Sequence, residues 1–217
     1  MHTYWPFAAL RMTTPQLELR QPNDGELVLL ADVAAKGISP PGQRTFLTPW
    51  TEFIPAQRGL AVMQSHWSSK ATWNIHNWAL ELAVFREGQP VGMVTLRSQQ
   101  FPILREVKTS AWLGLEFQGR GYGTEARGAL LHFAFEQLGA EAALSEVFQD
   151  NLASQGVSRK LGYQFDGISR AVLDGQPVVS DRLRLTRAQW LGVDHPLVVV
   201  SGIADCRPFF LTDGDVS

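Results

Sequence analysis

The chain has one cysteine, Cys206. An intrachain disulfide is therefore excluded, and with neither partner thiols nor a close histidine pair no metal site is expected. Long apolar runs are also missing. No window approaches the ~18 uninterrupted apolar residues that cross a membrane, so no membrane partner is expected. Trp5 to Leu10 is apolar but short, has no basic leader and contains Pro6, which does not fit a secretory signal. Basic runs are missing too: 19 Lys and Arg stand against 21 Asp and Glu, for a formal charge of -2. General nucleic-acid binding would need a more basic chain. Together these absences point to a reducing, cytoplasmic setting.

What the 217 residues do contain is apolar bulk: 45% are hydrophobic, with seven Trp and twelve Phe, enough for a sizeable core. Leu17 to Arg20 alternates as a strand does. Asp24 is a candidate N-cap for a helix carrying Leu27, Leu30, Ala31 and Ala34, with Gly37 as its C-cap. Ser39-Pro40-Pro41-Gly42 opens a loop that runs to Trp50. Pro55 suits the first position of a second helix, with a stripe of Leu60, Met63 and Trp67. Three strands follow: Trp78 to Phe85, Val91 to Leu96, and Glu106 to Phe117, with turns at Glu87-Gly88-Gln89 and a loop at Phe101-Pro102. Thr124 to Leu138 is apolar nearly all round, the mark of a helix buried on most sides. Ala143 to Phe148 reads as a strand, Asn151 to Leu161 as a helix capped by Asp150-Asn151. Tyr163 to Leu173 and Val178 to Leu185 read as two strands joined at Asp174-Gly175. This order predicts an α/β (α+β) chain with a mixed, mostly antiparallel sheet flanked by helices. One domain is expected over 1–217, with its core at about 14–190.

Between the third strand and the buried helix stands Gln118-Gly119-Arg120-Gly121-Tyr122-Gly123-Thr124. A helix start offers free N–H groups and a positive dipole end, so it holds a phosphate readily. Glycines allow close backbone approach and positive φ. A P-loop would end in Gly-Lys-Ser/Thr, and no lysine is present. A dinucleotide fingerprint needs G-x-G-x-x-G, and the spacing here is G-x-G-x-G. A plain glycine-rich turn remains the bland alternative.

The loop from Gln118 to Gly123 resembles the Q/R-x-x-G-x-G/A pyrophosphate loop of the GCN5-related N-acetyltransferases (GNAT), whose element order is also the one above. More of the chain is similar to the branch that modifies ribosomal-protein N-termini: Thr14 to Arg20, Trp112-Leu113-Gly114, Gly121 to Ala126, Asn151 to Ser154, Lys160 to Tyr163, and Asp181 with Leu183 to Arg187 and Trp190. The resemblance implies a sheet splayed at a CoA site. Backbone groups of Trp112, Leu113, Gly114 and Leu115 would pair with the pantetheine amides. Gln118, Gly119, Arg120, Gly121, Tyr122, Gly123 and Thr124 would hold the pyrophosphate. Asn151 and Ser154 would meet the pantetheine arm, and Arg159 or Lys160 would either reach the adenosine or be solvated. The implied activity is transfer of an acyl group from acyl-CoA, a co-substrate and not a resident cofactor, to a primary amine. Acetyl is the family default, and resemblance to an actinobacterial subgroup adds succinyl. The acceptor stays open between a protein N-terminus, a lysine and a small amine such as an aminoglycoside. A CoA-binding sensor without turnover is the alternative of another class.

The attacking amine must be neutral; an α-amine, at ~7.7–8.0, needs less help than a lysine at ~10.4. The leaving thiolate needs a donor. The tyrosine that many relatives place seven residues after the helix asparagine is replaced here by Ser158, and the chain has only Tyr4, Tyr122 and Tyr163. Ser154 matches a serine used by the N-terminal-modifying branch. Ser154 and Ser158 are thus the candidate donors, Ser154 first. Glu81, mid-strand among apolar neighbours, is the leading candidate base, beside Glu106, His76 and Asp181. His66 and His132 are expected to be structural. The Ser39–Trp50 loop and Trp73, His76 and Trp78 are expected to shape the acceptor side, with core packing favoured for Trp78. Leu197 to Ile203 is too apolar to stay exposed, so it should pack on its own domain or on a second subunit of a homo-oligomer.

Overall fold

The computed structural model describes residues 4–40, 42–43 and 45–211; Pro41 and Arg44, inside the expected Ser39–Trp50 loop, lie outside the described residues. The chain runs β1 (Arg11–Thr13), β2 (Glu18–Arg20), α1 (Asp24–Lys36), α2 (Pro55–Ala71), β3 (Asn77–Arg86), β4 (Gln89–Gln99), α3 (Phe101–Leu104) and β5 (Glu106–Leu113). It continues with α4 (Tyr122–His132), a π turn over Phe133–Gln137, β6 (Ala142–Phe148), α5 (Leu152–Lys160), β7 (Gln164–Leu173), β8 (Gln176–Thr186), α6 (Arg187–Leu191) and β9 (Val199–Ser201). The strands form one nine-stranded sheet in the order β7-β8-β6-β5-β4-β3-β2-β1-β9. Every neighbouring pair is antiparallel except β5 and β6, which α4 connects as a crossover. Among the described residues no helix is long and apolar enough to cross a membrane.

The expected mixed, mostly antiparallel sheet is therefore present. Several local readings change. Asn23, not Asp24, caps α1: its side chain accepts from the Glu26 N–H at 2.9 Å while the Glu26 carboxylate takes the Asn23 N–H. In α2 the inward face carries Gly59, Val62 and His66, whereas Leu60 and Trp67 of the expected stripe are exposed. Phe101-Pro102 starts the short helix α3, not a loop. The third strand of the meander ends at Leu113, where Gly114 leads into a 3-10 turn over Leu115–Phe117.

The central strands are buried on both faces. On one, Leu80, Leu82, Val94 and Leu96 pack with Ala126, Ala129 and Leu130 of α4. On the other, Ala83, Phe85 and Met93 pack with Leu27, Leu30 and Ala34 of α1 and Val62 of α2. This two-sided burial explains why β3 reads as a nearly continuous apolar run.

The tail folds back on its own domain. β9 pairs with β1, and Cys206, Phe210 and Leu211 enter the main core. The Phe210 ring lies within 4.8–5.8 Å of Trp78, Phe7, Trp73 and Phe133. Such a buried aromatic contributes several kcal/mol. Phe210→Ala should lower the unfolding free energy by ~3–5 kcal/mol. Leu197→Ala, at a side chain 77% exposed, should change it by less than ~0.5 kcal/mol. Urea unfolding followed by tryptophan fluorescence checks both.

Candidate functional site

The parallel pairing of β5 with β6 stops almost as soon as it starts. It joins Glu106, Val107 and Lys108 to Ala142, Ala143 and Leu144 and goes no further. Beyond it, β5 stays with β4 as far as Leu113, and β6 stays with β8 as far as Phe148. The two halves of the sheet diverge, and the side of β5 from Thr109 to Leu113 that faces away from β4 has no strand partner among the described residues. Unpaired ladder groups require another partner, either water or a ligand with amides of its own. A cleft of about 620 Å³ fills the opening.

The wide end of the cleft is closed by the glycine loop. Gly119 and Gly121 have φ of +74° and +86°, and Gly121 is the N-cap of α4. A Cβ built at either glycine would meet nothing within 4 Å, so the space in front of both is open. The first N–H groups of α4, at Tyr122 and Gly123, have no intrahelical acceptor. Thr124 and Glu125 N–H turn back to Gly121 C=O at 3.1 Å. The Glu125 carboxylate is directed away: it accepts from Thr14 Oγ1 at 2.6 Å, Gln16 N–H at 3.0 Å and Gln16 Nε2 at 2.7 Å. This keeps a negative charge out of the helix mouth and ties α4 to the β1–β2 connection. The mouth fits a phosphate diester or anhydride.

Of the residues expected at the site, Trp112, Leu113, Gln118, Gly119, Gly121, Gly123, Thr124, Asn151 and Ser154 line this cleft. The Gln118 side chain does not point at an anion; Nε2 donates to Ile38 C=O at 2.7 Å and Leu113 C=O at 2.9 Å, bracing the loop. Asn151 Oδ1 accepts from Ser154 N–H at 3.1 Å and so caps α5. The Ser154 hydroxyl makes no hydrogen bond among the described residues. Gly114, Leu115, Arg120 and Tyr122 do not line the cleft. Gly114 and Leu115 N–H donate to Val91 and Gly37 C=O. Tyr122 is buried, with the Arg86 guanidinium 5.5 Å from its ring centroid. Arg120 borders a separate, open groove of about 760 Å³ between α1 and the β3–β4 turn, lined by Asp32, Lys36, Arg86 and Glu87 among others. That groove holds neither the unpaired ladder nor the helix mouth.

None of the candidate bases lines the cleft. Glu81 faces α2, where Ser65 Oγ donates to it at 2.8 Å and His66 Nδ1 lies 3.7 Å away. Strand alternation places Glu81 on the helix-covered face, which is why it is buried without reaching the opening. Glu106 pairs with Arg184 at 2.6 Å, Asp181 accepts from Gln149 at 2.9 Å, and His76 sits exposed in a turn. Ser158 is fully buried beneath α5, its Oγ accepting from Arg127 at 3.1 Å. Trp73 and Trp78 stack at 5.6 Å inside the aromatic cluster around Phe210 and do not line the cleft. Of the Ser39–Trp50 loop, Ser39, Pro40, Gln43 and Thr45 to Thr48 line the cleft, and Trp50 packs edge-on to Trp112.

Four charged residues at the narrow end escaped sequence reasoning. Lys108 and Glu146 pair across the last rungs of β5 and β6 at 2.7 Å. Arg97, opposite Lys108 on β4, lines the cleft and makes no ion pair among the described residues. Arg127 is 4% exposed within α4. A charge inside the otherwise apolar run Ala126 to Leu131 was the one available signal for it.

A family model described as an acetyltransferase (GNAT) domain matches residues 16–164, well over half of the chain. Solved structures share the fold at low identity. A GCN5-related N-acetyltransferase from Brucella melitensis superposes with a TM-score of 0.66 at 18% identity, over 83% of this chain and 80% of its own. The ribosomal L7/L12 α-N-protein acetyltransferase RimL, in complex with coenzyme A, gives 0.64 at 18% identity, over 80% of this chain and 95% of its own. A GNAT-family acetyltransferase from Bacillus anthracis gives 0.63 at 12% identity, over 82% and 99%.

The loop geometry makes one substitution diagnostic. At Gly121 a β-branched residue is strained by φ of +86° but meets no protein atom, so Gly121→Val should cost only ~1–2 kcal/mol of stability. It should nevertheless weaken CoA binding at least ~10²-fold, because the side chain fills the space in front of the helix mouth. Thermal melts and isothermal calorimetry separate the two effects.

Proposed function

We propose, starting from the fact that this chain belongs to the GCN5-related N-acetyltransferase (GNAT) family, that it moves an acyl group from acyl-CoA to a primary amine by direct attack in a ternary complex. The observation that carries this reading is the opening of the sheet. One wall is the edge of β5 that no strand covers among the described residues, and the end is a helix mouth preceded by two positive-φ glycines. An extended pantetheine has amides for the ladder, and its pyrophosphate has the charge for the mouth. Trp112 and Leu113 lie along that wall, Asn151 and Ser154 across from it.

The charges suggest the two substrates. Among the described residues Glu146 is the single carboxylate lining the cleft, and Lys108 pairs with it. A polycationic aminoglycoside would need a more acidic site. An α-amine is a better fit, since a useful fraction is neutral near pH 7 without a dedicated base. We therefore favour a protein or peptide N-terminus as acceptor. Arg97 is a cation without an anion among the described residues, at the narrow end of the cleft and on the face of the sheet opposite α4. It favours a donor whose acyl chain ends in a carboxylate, such as succinyl-CoA, over acetyl-CoA.

The oxyanion of the tetrahedral intermediate would take backbone N–H groups of β5, held rigid by β4. Ser154, with a free hydroxyl in the first turn of α5, would donate to the departing sulfur. Replacement of Ser154 by alanine should lower kcat by ~10²-fold while leaving acyl-CoA affinity nearly unchanged.

A free-thiol release assay with acetyl-, propionyl- and succinyl-CoA and peptide amines tests the whole reading. Turnover is expected, fastest with succinyl-CoA and reduced to the acetyl rate in Arg97→Ala. Acyl-CoA binding without thiol release across all acceptors would instead identify a CoA sensor.

A further inference from the structure

We infer that Arg127 is the electrostatic partner of the sulfur that leaves the thioester, an inference that rests on the acyl-CoA reading of the cleft. Its guanidinium is permanently charged and almost wholly buried. Nη1 donates to Ser158 Oγ at 3.1 Å and Nη2 to Thr109 Oγ1 at 3.2 Å. Cζ lies 5.3 Å from the Tyr163 ring centroid, and Nε has no hydrogen-bond partner among the described residues. Tyr163 in turn shares a hydrogen bond of 3.0 Å with Thr109. All these contacts are neutral, and among the described residues no carboxylate pairs with Arg127. Burying a cation without an anion is costly. Arg127 nevertheless sits at the floor of the cleft, beside the point where β5 and β6 part.

The position along β5 identifies the anion. The permanent charges of CoA belong at the Gly121 end. From Leu113 back to Thr109 the strand covers ~13 Å at ~3.3 Å per residue. The arm that follows it is uncharged and ends in the thioester. Negative charge develops at that end when the reaction runs. The amine nitrogen adds to the thioester carbon, and the tetrahedral intermediate collapses. The C–S bonding pair stays on sulfur, and the proton given up by the amine balances the one that finally returns to the thiolate. A fixed, buried cation stabilises that charge without reorganising.

The neighbouring charges leave this role to Arg127. Thr109 and Lys108 project to opposite faces of the sheet. Lys108, Glu146 and Arg97 therefore belong to the acyl and acceptor side. Glu125 is engaged by Thr14 and Gln16, and Lys160 is exposed at the rim. Because a guanidinium only donates, it also fixes the Ser158 and Thr109 oxygens as acceptors towards it. The position at which relatives carry a tyrosine thus holds a serine that supports a cation.

The thiol of bound CoA reports this directly. Its ultraviolet thiolate band is titrated in the complex, with the desulfo-CoA complex subtracted. Burial pushes the Cys206 thiol up to about 12, which keeps it out of the window. The bound thiol should ionise ~1–3 pH units below free CoA. Arg127→Met should abolish that depression and lower kcat ~10-fold or more with acyl-CoA KM little changed, while Arg127→Lys should retain most of it. A wild-type complex whose thiol titrates at or above free CoA overturns the inference without any variant, as does equal depression in a folded Arg127→Met. Calorimetry keeps the premises apart: no CoA binding to the wild type defeats the acyl-CoA reading and this inference with it, whereas binding with an unshifted thiol defeats the role of Arg127 alone.

Discussion

The structure depends on a pairing that is cut short. β5 and β6 share three rungs and then part, although each remains in register with its other neighbour. A longer parallel ladder would close the sheet and leave no cleft. A shorter one would detach the β6–β7–β8 half from the rest. The ion pair between Lys108 and Glu146 sits where the parting begins, and α4 packs beneath β4 and β5 and against α5. With its N-terminus at the wide end and Arg127 at the narrow end, α4 is at once the crossover helix, the anion mouth and the floor.

Splitting the sheet also separates two kinds of work. On the α4 and α5 face are the glycine loop, Asn151, Ser154 and Arg127, groups suited to an anionic, amide-bearing chain. On the opposite face are Arg97, Lys108, Glu146 and the loop through Thr48, which meet whatever approaches through the opening. Strand alternation alone produces this division, because Lys108, Ser110 and Trp112 point one way and Thr109, Ala111 and Leu113 the other.

Much of the fold was legible in the sequence, because its signals are local. Glu87-Gly88 and Asp174-Gly175 both adopt positive φ as hairpin turns of their kind require. The helix after the glycines, apolar nearly all round, could only be buried. Gln118 to Thr124 drew the eye to the end of the cleft because loop, helix start and glycine spacing are contiguous. What was not legible depends on contacts distant in sequence. Alternation shows that Glu81 shares a face with Ala79 and Ala83, but not that α2 covers that face. The α2 stripe was misassigned because Leu60 and Trp67 are apolar yet face outward, while His66 is polar yet faces inward. Arg127 acquires meaning only from Thr109 on β5, Ser158 on α5 and Tyr163 in the connection that follows α5.

The closure of β9 onto β1 has a further consequence for how the molecule is made. Arg11 pairs with Ser201, and Phe7 lies 5.4 Å from Phe210, so segments near opposite ends of the described chain complete one another. Contacts of such high sequence separation form late and slow folding. During synthesis, Phe7, Trp73 and Trp78 must wait with a half-built aromatic cluster until the β9 segment has emerged. Until then β1 is an open sheet edge beside an exposed apolar patch, the combination most prone to pairing with another chain. The three-residue length of β9 and the turn that follows it then act as a clasp, fastened last, on a sheet whose cleft lies several strands away.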